Sequence, residues 1–231
     1  MDRASSGFRA VLYDALRILT FRQPSSAIFE HWPKYLAFGL VFTWLAGLGR
    51  YWDNPRAHLW QQLGLGSIAY VFCLALILWL LLLPLRPRRW SYRSVLVFIT
   101  LTSPPAILYA IPVEMFMSIS RAESTNAWFL GIVATWRVAL LVWFLRNIAG
   151  LPRGTIAVAT LLPLVLIVVT LMALNLEHVV FEIMSGIRPE DRSVNDAAYA
   201  IVTLLGFFSI LAAPFLILTY GIAVYRVQQT R

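Results

Sequence analysis

The sequence predicts an all-α protein, a polytopic transmembrane helical bundle of about six spans with an N-terminal amphipathic interfacial helix. Three observations carry that expectation. The 231 residues are 60% hydrophobic and only 13% charged, with a mean hydropathy of +0.74, whereas soluble domains carry about 25% charged residues. The apolar residues gather into six runs close to the ~20 residues that a membrane-crossing helix needs. The arginines between those runs are distributed asymmetrically, as the positive-inside rule requires of a multi-pass chain.

Residues 1–33 form a cytoplasmic lead-in. Phe8, Val11, Leu12, Leu16 and Leu19 recur at helical spacing, with Arg9, Asp14 and Arg17 assigned to other faces. That pattern predicts a short helix lying in the membrane surface. Pro24 and Pro33 then turn the chain toward the bilayer, with Trp32 at headgroup level. The bundle occupies 34–225, with spans near 34–51, 67–84, 94–118, 127–146, 155–177 and 197–225, and 226–231 is a cytoplasmic tail.

With the N-terminus inside, 13 basic residues face the cytoplasm, among them Arg86, Arg88, Arg89 and Arg93, and 5 lie in outer loops. Arg137 is left within the membrane. Six spans with both termini cytoplasmic satisfy this asymmetry, and a five-span count satisfies it less well because it places the C-terminal arginines outside. The expected location is a bacterial inner membrane. Tyr51, Trp52 and Trp128 mark the outer interface, and Trp90, Tyr92 and Trp143 the inner one. The first thirty residues are polar and show no cleavable leader pattern.

The third run is the most unusual stretch. It contains Pro104, Pro105 and Pro112, followed by Glu114. Each interior proline removes a donor and clashes with the preceding turn, so a broken helix is expected here. Arg137 sits within the apolar run 127–145, where an unpaired charge costs roughly 2.5–3.5 kcal/mol on insertion scales. It therefore needs an acid or water. Glu114, Asn175, Glu177 and His178 fall toward the outer boundary and form, with Arg137, the candidate intramembrane polar cluster. Asp53, His58 and Asp196 are the candidate outer-loop groups. Two readings of the cluster stay open: a buried ion pair that fixes packing, or an outward-facing vestibule for a proton, ion or small solute.

Other chemistries find little support. Cys73 is the single cysteine, which excludes disulfide frameworks and cysteine-based metal sites. His178 and Glu182 share a helix face, but two ligands do not make a metal site. Ser103 has no histidine at its depth to act as base, and no catalytic residues are assigned. The net charge of +8 is accounted for by topology, and no nucleic-acid partner or cofactor is expected. Gly64 and Gly66 read as a helix-start turn rather than a phosphate loop, and Gly39 and Gly47 as positions of close helix approach. A proline before a tyrosine occurs in both the third and sixth runs (Pro105 and Tyr109, Pro214 and Tyr220), consistent with a three-plus-three inverted repeat.

The stretch from Leu16 through Pro24 to Phe29, followed by proline-containing apolar helices, resembles the Yip1-domain membrane proteins. That resemblance rests on about fifteen residues. It implies a non-enzymatic membrane protein concerned with trafficking, membrane organisation or partner binding, and it brings no catalytic residues. The family's usual five spans and its Asp-Leu-Tyr-Gly-Pro signature differ from this chain. The expected function is a scaffold or partner-binding subunit, in contact with the lipid bilayer and with a protein partner or further copies of itself. The alternative is a small ion, proton or solute transporter or channel with its vestibule around Arg137 and Glu114.

Overall fold

A computed structural model describes residues 7–48, 58–173 and 196–229, and the described residues contain helices and no strands. In chain order the helices are α1 (Phe8–Leu19), α2 (Ala27–Glu30), α3 (Trp32–Leu48), α4 (Leu59–Gln62), α5 (Leu65–Leu82), α6 (Tyr92–Leu101), α7 (Ile119–Asn147), α8 (Arg153–Ala173) and α9 (Asp196–Gln229).

Among the described residues four stretches are long and apolar enough to cross a membrane: Leu65–Leu85, Arg121–Asn147, Arg153–Thr170 and Thr203–Gln229. They correspond to the second, fourth, fifth and sixth expected spans. The first and third expected spans are not among them, and residues 49–51 of the first lie outside the described residues. Helix α3 has 17 residues, an axial length of about 26 Å at 1.5 Å per residue. The third run is not one continuous helix. Helix α6 stops at Leu101, and Pro104 and Pro105 open a 3-10 segment, Pro104–Ala110, followed by another at Val113–Met115. The prolines are the cause, since they cannot donate to the preceding turn. Among the described residues the chain satisfies these positions with tight turns instead, such as the Ala106 amide on Ser103 oxygen at 2.8 Å.

The core lies where α1, α3, α5, α6, α7 and α8 converge. Ile18, Tyr35, Leu82, Val95, Leu101, Leu140, Leu145 and Ala159 are each at most 2% exposed there. Helix α6 is the pivot, with Val95 through Leu101 all buried. Phe98 stacks on Phe144 of α7, with ring centroids 4.1 Å apart. Two expected close approaches of helices are present. A Cβ on Gly39 of α3 would stand 2.6 Å from Thr100 on α6, and one on Gly47 would meet Gly64 at 2.9 Å. Gly64 caps α5 at φ +70, a left-handed geometry that suits glycine.

At the periphery, α9 packs along α8 while Phe207, Phe208, Leu211, Phe215 and Leu218 are more than half exposed. A face of that size and composition suits lipid hydrocarbon or an apolar partner rather than water.

Candidate functional site

The expected intramembrane cluster is only partly visible. Arg137 lies on α7, three residues past the centre of the Arg121–Asn147 stretch, an axial offset of about 4.5 Å. It is half-buried. Glu114 lies in the 3-10 segment Val113–Met115, and its side chain is outside the described residues. Asp53, Asn175, Glu177 and His178 also fall outside them. Asp196 begins α9, and His58 is exposed just before α4. Among the described residues no group of three or more His, Cys, Asp or Glu side chains is arranged to hold a metal.

The residue beside Arg137 supplies an unexpected connection. Trp136 Nε1 donates to the carbonyl of Leu19, at the end of α1, at 3.1 Å. The lead-in helix is thus tied to the long apolar helix that carries the arginine.

A polar centre that sequence reasoning missed lies beneath α1. Asp14, expected on a face other than the one carrying Val11, is instead 2% exposed on the same inward stripe. One carboxylate oxygen accepts from the Ser25 amide at 2.9 Å; the other accepts from Ser25 Oγ at 2.5 Å and Tyr35 Oη at 2.7 Å. Three donors replace the water that a buried carboxylate loses. The inward stripe of α1 is Val11, Asp14, Ala15 and Ile18. Phe8, Leu12, Tyr13 and Leu16 stay exposed. The missed signal was positional: Asp14 is three residues after Val11 and four before Ile18, hence on their face.

A second centre joins α3 to the break after α6. Thr43 Oγ1 bonds to the Gly39 carbonyl at 2.9 Å and to Ser103 Oγ at 2.8 Å. The Thr100 and Thr102 hydroxyls donate to carbonyls of α6 at 2.7–3.0 Å. All four side chains are buried. Ser103 has no base among these neighbours, and its hydroxyl is occupied by packing hydrogen bonds.

Two expected interfacial anchors are tied to protein as well. Trp90 Nε1 donates to the Trp79 carbonyl at 3.1 Å, and Tyr92 Oη to the Phe72 carbonyl at 3.3 Å. Beside them the loop after α5 is fastened to the turn after α7. The Arg88 amide donates to the Ala149 carbonyl at 2.7 Å, and Gly150 adopts φ +65 under the Arg88 side chain.

Comparison of the chain with protein-family models, curated proteins and solved structures yields no match.

Proposed function

We propose that this chain is a non-enzymatic multi-pass protein of a bacterial inner membrane, acting as a scaffold or partner-binding subunit. In this reading it crosses the bilayer six times, with both termini cytoplasmic. Helix α3 supplies about 26 Å at 1.5 Å per residue, and α6 with the following 3-10 segment about 15 Å plus 14 Å. Both lengths approach the ~30 Å hydrocarbon thickness. The exposed stripe Phe8, Leu12 and Leu16 of α1 would then rest in the interfacial layer, as in the Yip1-like arrangement.

The observation that carries the proposal is how the buried polar side chains are used. Asp14, Tyr35, Thr43, Thr100, Thr102 and Ser103 each bond to a neighbouring side chain or to backbone. The Asp14–Tyr35 and Thr43–Ser103 bonds join separate elements, the Thr100 and Thr102 bonds stay within α6 and its C-cap, and all leave these groups little freedom to bind and release a solute. Purified protein reconstituted into liposomes is expected to pass protons and monovalent ions no faster than empty liposomes. Flux that Arg137→Ala abolishes would overturn the proposal.

Arg137 itself favours the second reading, a small transporter or channel. A half-buried guanidinium this near the centre of an apolar helix requires a polar counterpart. Cysteines placed at Glu114 and Asn175, in a Cys73→Ser background, would then react with impermeant thiol reagents added from outside. Protection of both positions excludes an outward vestibule.

A further inference from the structure

A cavity of about 600 Å³ opens between the turn preceding α3 and the start of α6. Its rim is polar, with Glu30, Arg89, Ser91, Arg93 and Ser94. Its floor is apolar and comes from three helices: Ile18 of α1, Val97 and Phe98 of α6, and Phe144 of α7. We propose that this cavity binds an anionic amphiphile, a phosphate group at the rim carrying a hydrocarbon chain that lies on the floor.

The rim selects an anion. The two guanidinium groups outnumber the single carboxylate of Glu30, and Arg86 and Arg88 add positive charge in the same loop. Both rim arginines are held by aromatic rings. Arg89 lies over Phe29 at 5.3 Å and Arg93 over Trp32 at 5.2 Å. Stacking in this way orients a guanidinium while leaving its edge N–H groups available for phosphate oxygens. Arg89 is held at φ +51, a left-handed conformation costing a non-glycine residue roughly 1–2 kcal/mol, so the backbone there is held at a cost.

Size and floor select the tail. A water molecule takes about 30 Å³ in the liquid, so a bare phosphate would leave most of 600 Å³ filled with water against Val97, Phe98 and Phe144. A nucleotide would suit the volume, but one face of each of the Phe29 and Trp32 rings already carries an arginine. A hydrocarbon chain matches the remaining surface. The same chemistry is offered by an anionic phospholipid of the surrounding membrane and by a soluble phosphorylated lipid, and free phosphate shares only its headgroup.

The whole 231-residue chain in neutral detergent tests the proposal. Dioctanoyl phosphatidic acid, dioctanoyl phosphatidylglycerol, dioctanoyl phosphatidylcholine and inorganic phosphate are titrated separately, with binding read by native mass spectrometry and by the shift in Tm. One or both anionic lipids should bind at least tenfold more tightly than phosphatidylcholine, with inorganic phosphate ineffective at equal concentration. Preference for phosphatidylglycerol identifies a bilayer diester lipid, and preference for phosphatidic acid a monoester. The double variant Arg89→Gln, Arg93→Gln should lose that preference, while Arg146→Gln, Arg153→Gln, which removes the same charge elsewhere, should keep it. If the first variant does not fold, Ile148→Trp, which narrows the cavity and leaves the arginines in place, should weaken lipid binding by a similar factor. Equal binding of charged and zwitterionic lipids, equal loss in both arginine pairs, binding of phosphate as tight as that of lipid, or unchanged affinity in Ile148→Trp would each overturn it.

Discussion

Tyr35 donates its hydroxyl to a carboxylate oxygen of Asp14 at 2.7 Å, across a contact that is 2% exposed on both sides. This bond joins α1 to α3, beside the buried Val11, Ala15 and Ile18 of α1. Removing the carboxylate strands the Tyr35 hydroxyl, whereas Ser25 is exposed and can turn to water. Leaving one buried donor unsatisfied costs about 1–3 kcal/mol. Asp14→Ala should therefore lower stability by about 2 kcal/mol, and Tyr35→Phe by about 1 kcal/mol. The double variant should cost less than the sum, with a coupling of at least 0.5 kcal/mol. Reversible unfolding in detergent measures all three, and additive losses would show that the two groups do not act together.

The contact between α3 and α6 depends on the missing side chain at Gly39. A methyl there would lie 2.6 Å from Thr100 Cβ and 2.7 Å from its backbone carbon, so neither neighbour can rotate away. Gly39→Ala should cost about 1–3 kcal/mol, as overpacking does elsewhere. Thr100→Ala should not rescue it, because the Cβ and backbone atoms remain. Gly131 on α7 has nothing within 4 Å. Gly131→Ala should leave stability unchanged or raise it by up to about 1 kcal/mol through helix propensity. Equal losses at the two glycines would refute the assignment of Gly39 as a packing contact.

Helix α1 is fastened a second time by Trp136, whose indole reaches the Leu19 carbonyl at 3.1 Å. Trp136→Phe keeps most of the ring and loses only the donor. A net hydrogen bond of about 1 kcal/mol corresponds to roughly fivefold in the local opening equilibrium. Trypsin cleavage after Arg17 and Arg22 should accelerate by about that factor, with cleavage after Arg153 unchanged. An unaltered rate at Arg17 and Arg22 would mean that the core face of α1 alone holds the helix.

These contacts mark where the sequence was informative and where it was not. The stretches 67–84 and 127–146, and 155–177 as far as its described residues go, are apolar, and hydropathy alone locates their helices. The third run was expected to break, because three prolines cannot be absorbed in one helix, but its 3-10 geometry depends on hydrogen bonds with no sequence pattern. Asp14 was misassigned for a related reason. Polarity argued that it faces outward, while its spacing from Val11 and Ile18 argued inward, and the partners that decide the matter, Ser25 and Tyr35, lie 11 and 21 residues away. The arginine cluster at 86–93 stands out in the sequence as a charge run between apolar stretches. Its pairing with Phe29 and Trp32 around a cavity does not, since that requires the α1–α3 turn to dock on α6.

Gly64 and Gly150 separate two costs that usually occur together. Both adopt left-handed backbone, at φ +70 and +65, which a side chain disfavours by roughly 1–2 kcal/mol. At Gly150 the nearest obstacle to a Cβ is the Arg88 side chain at 3.1 Å, which is flexible and can move. At Gly64 it is the backbone of Gly47 and Leu48 at 2.9 Å, which cannot move without separating α3 from α5. Gly150→Ala should thus lose only the conformational part, about 1–2 kcal/mol, and Gly64→Ala should lose that plus a further ~1–3 kcal/mol of overpacking. Unfolding of the two variants under one set of conditions gives the comparison directly. A Gly150→Ala loss as large as that of Gly64→Ala would mean that the Arg88–Ala149 clasp is as unyielding as the α3–α5 contact.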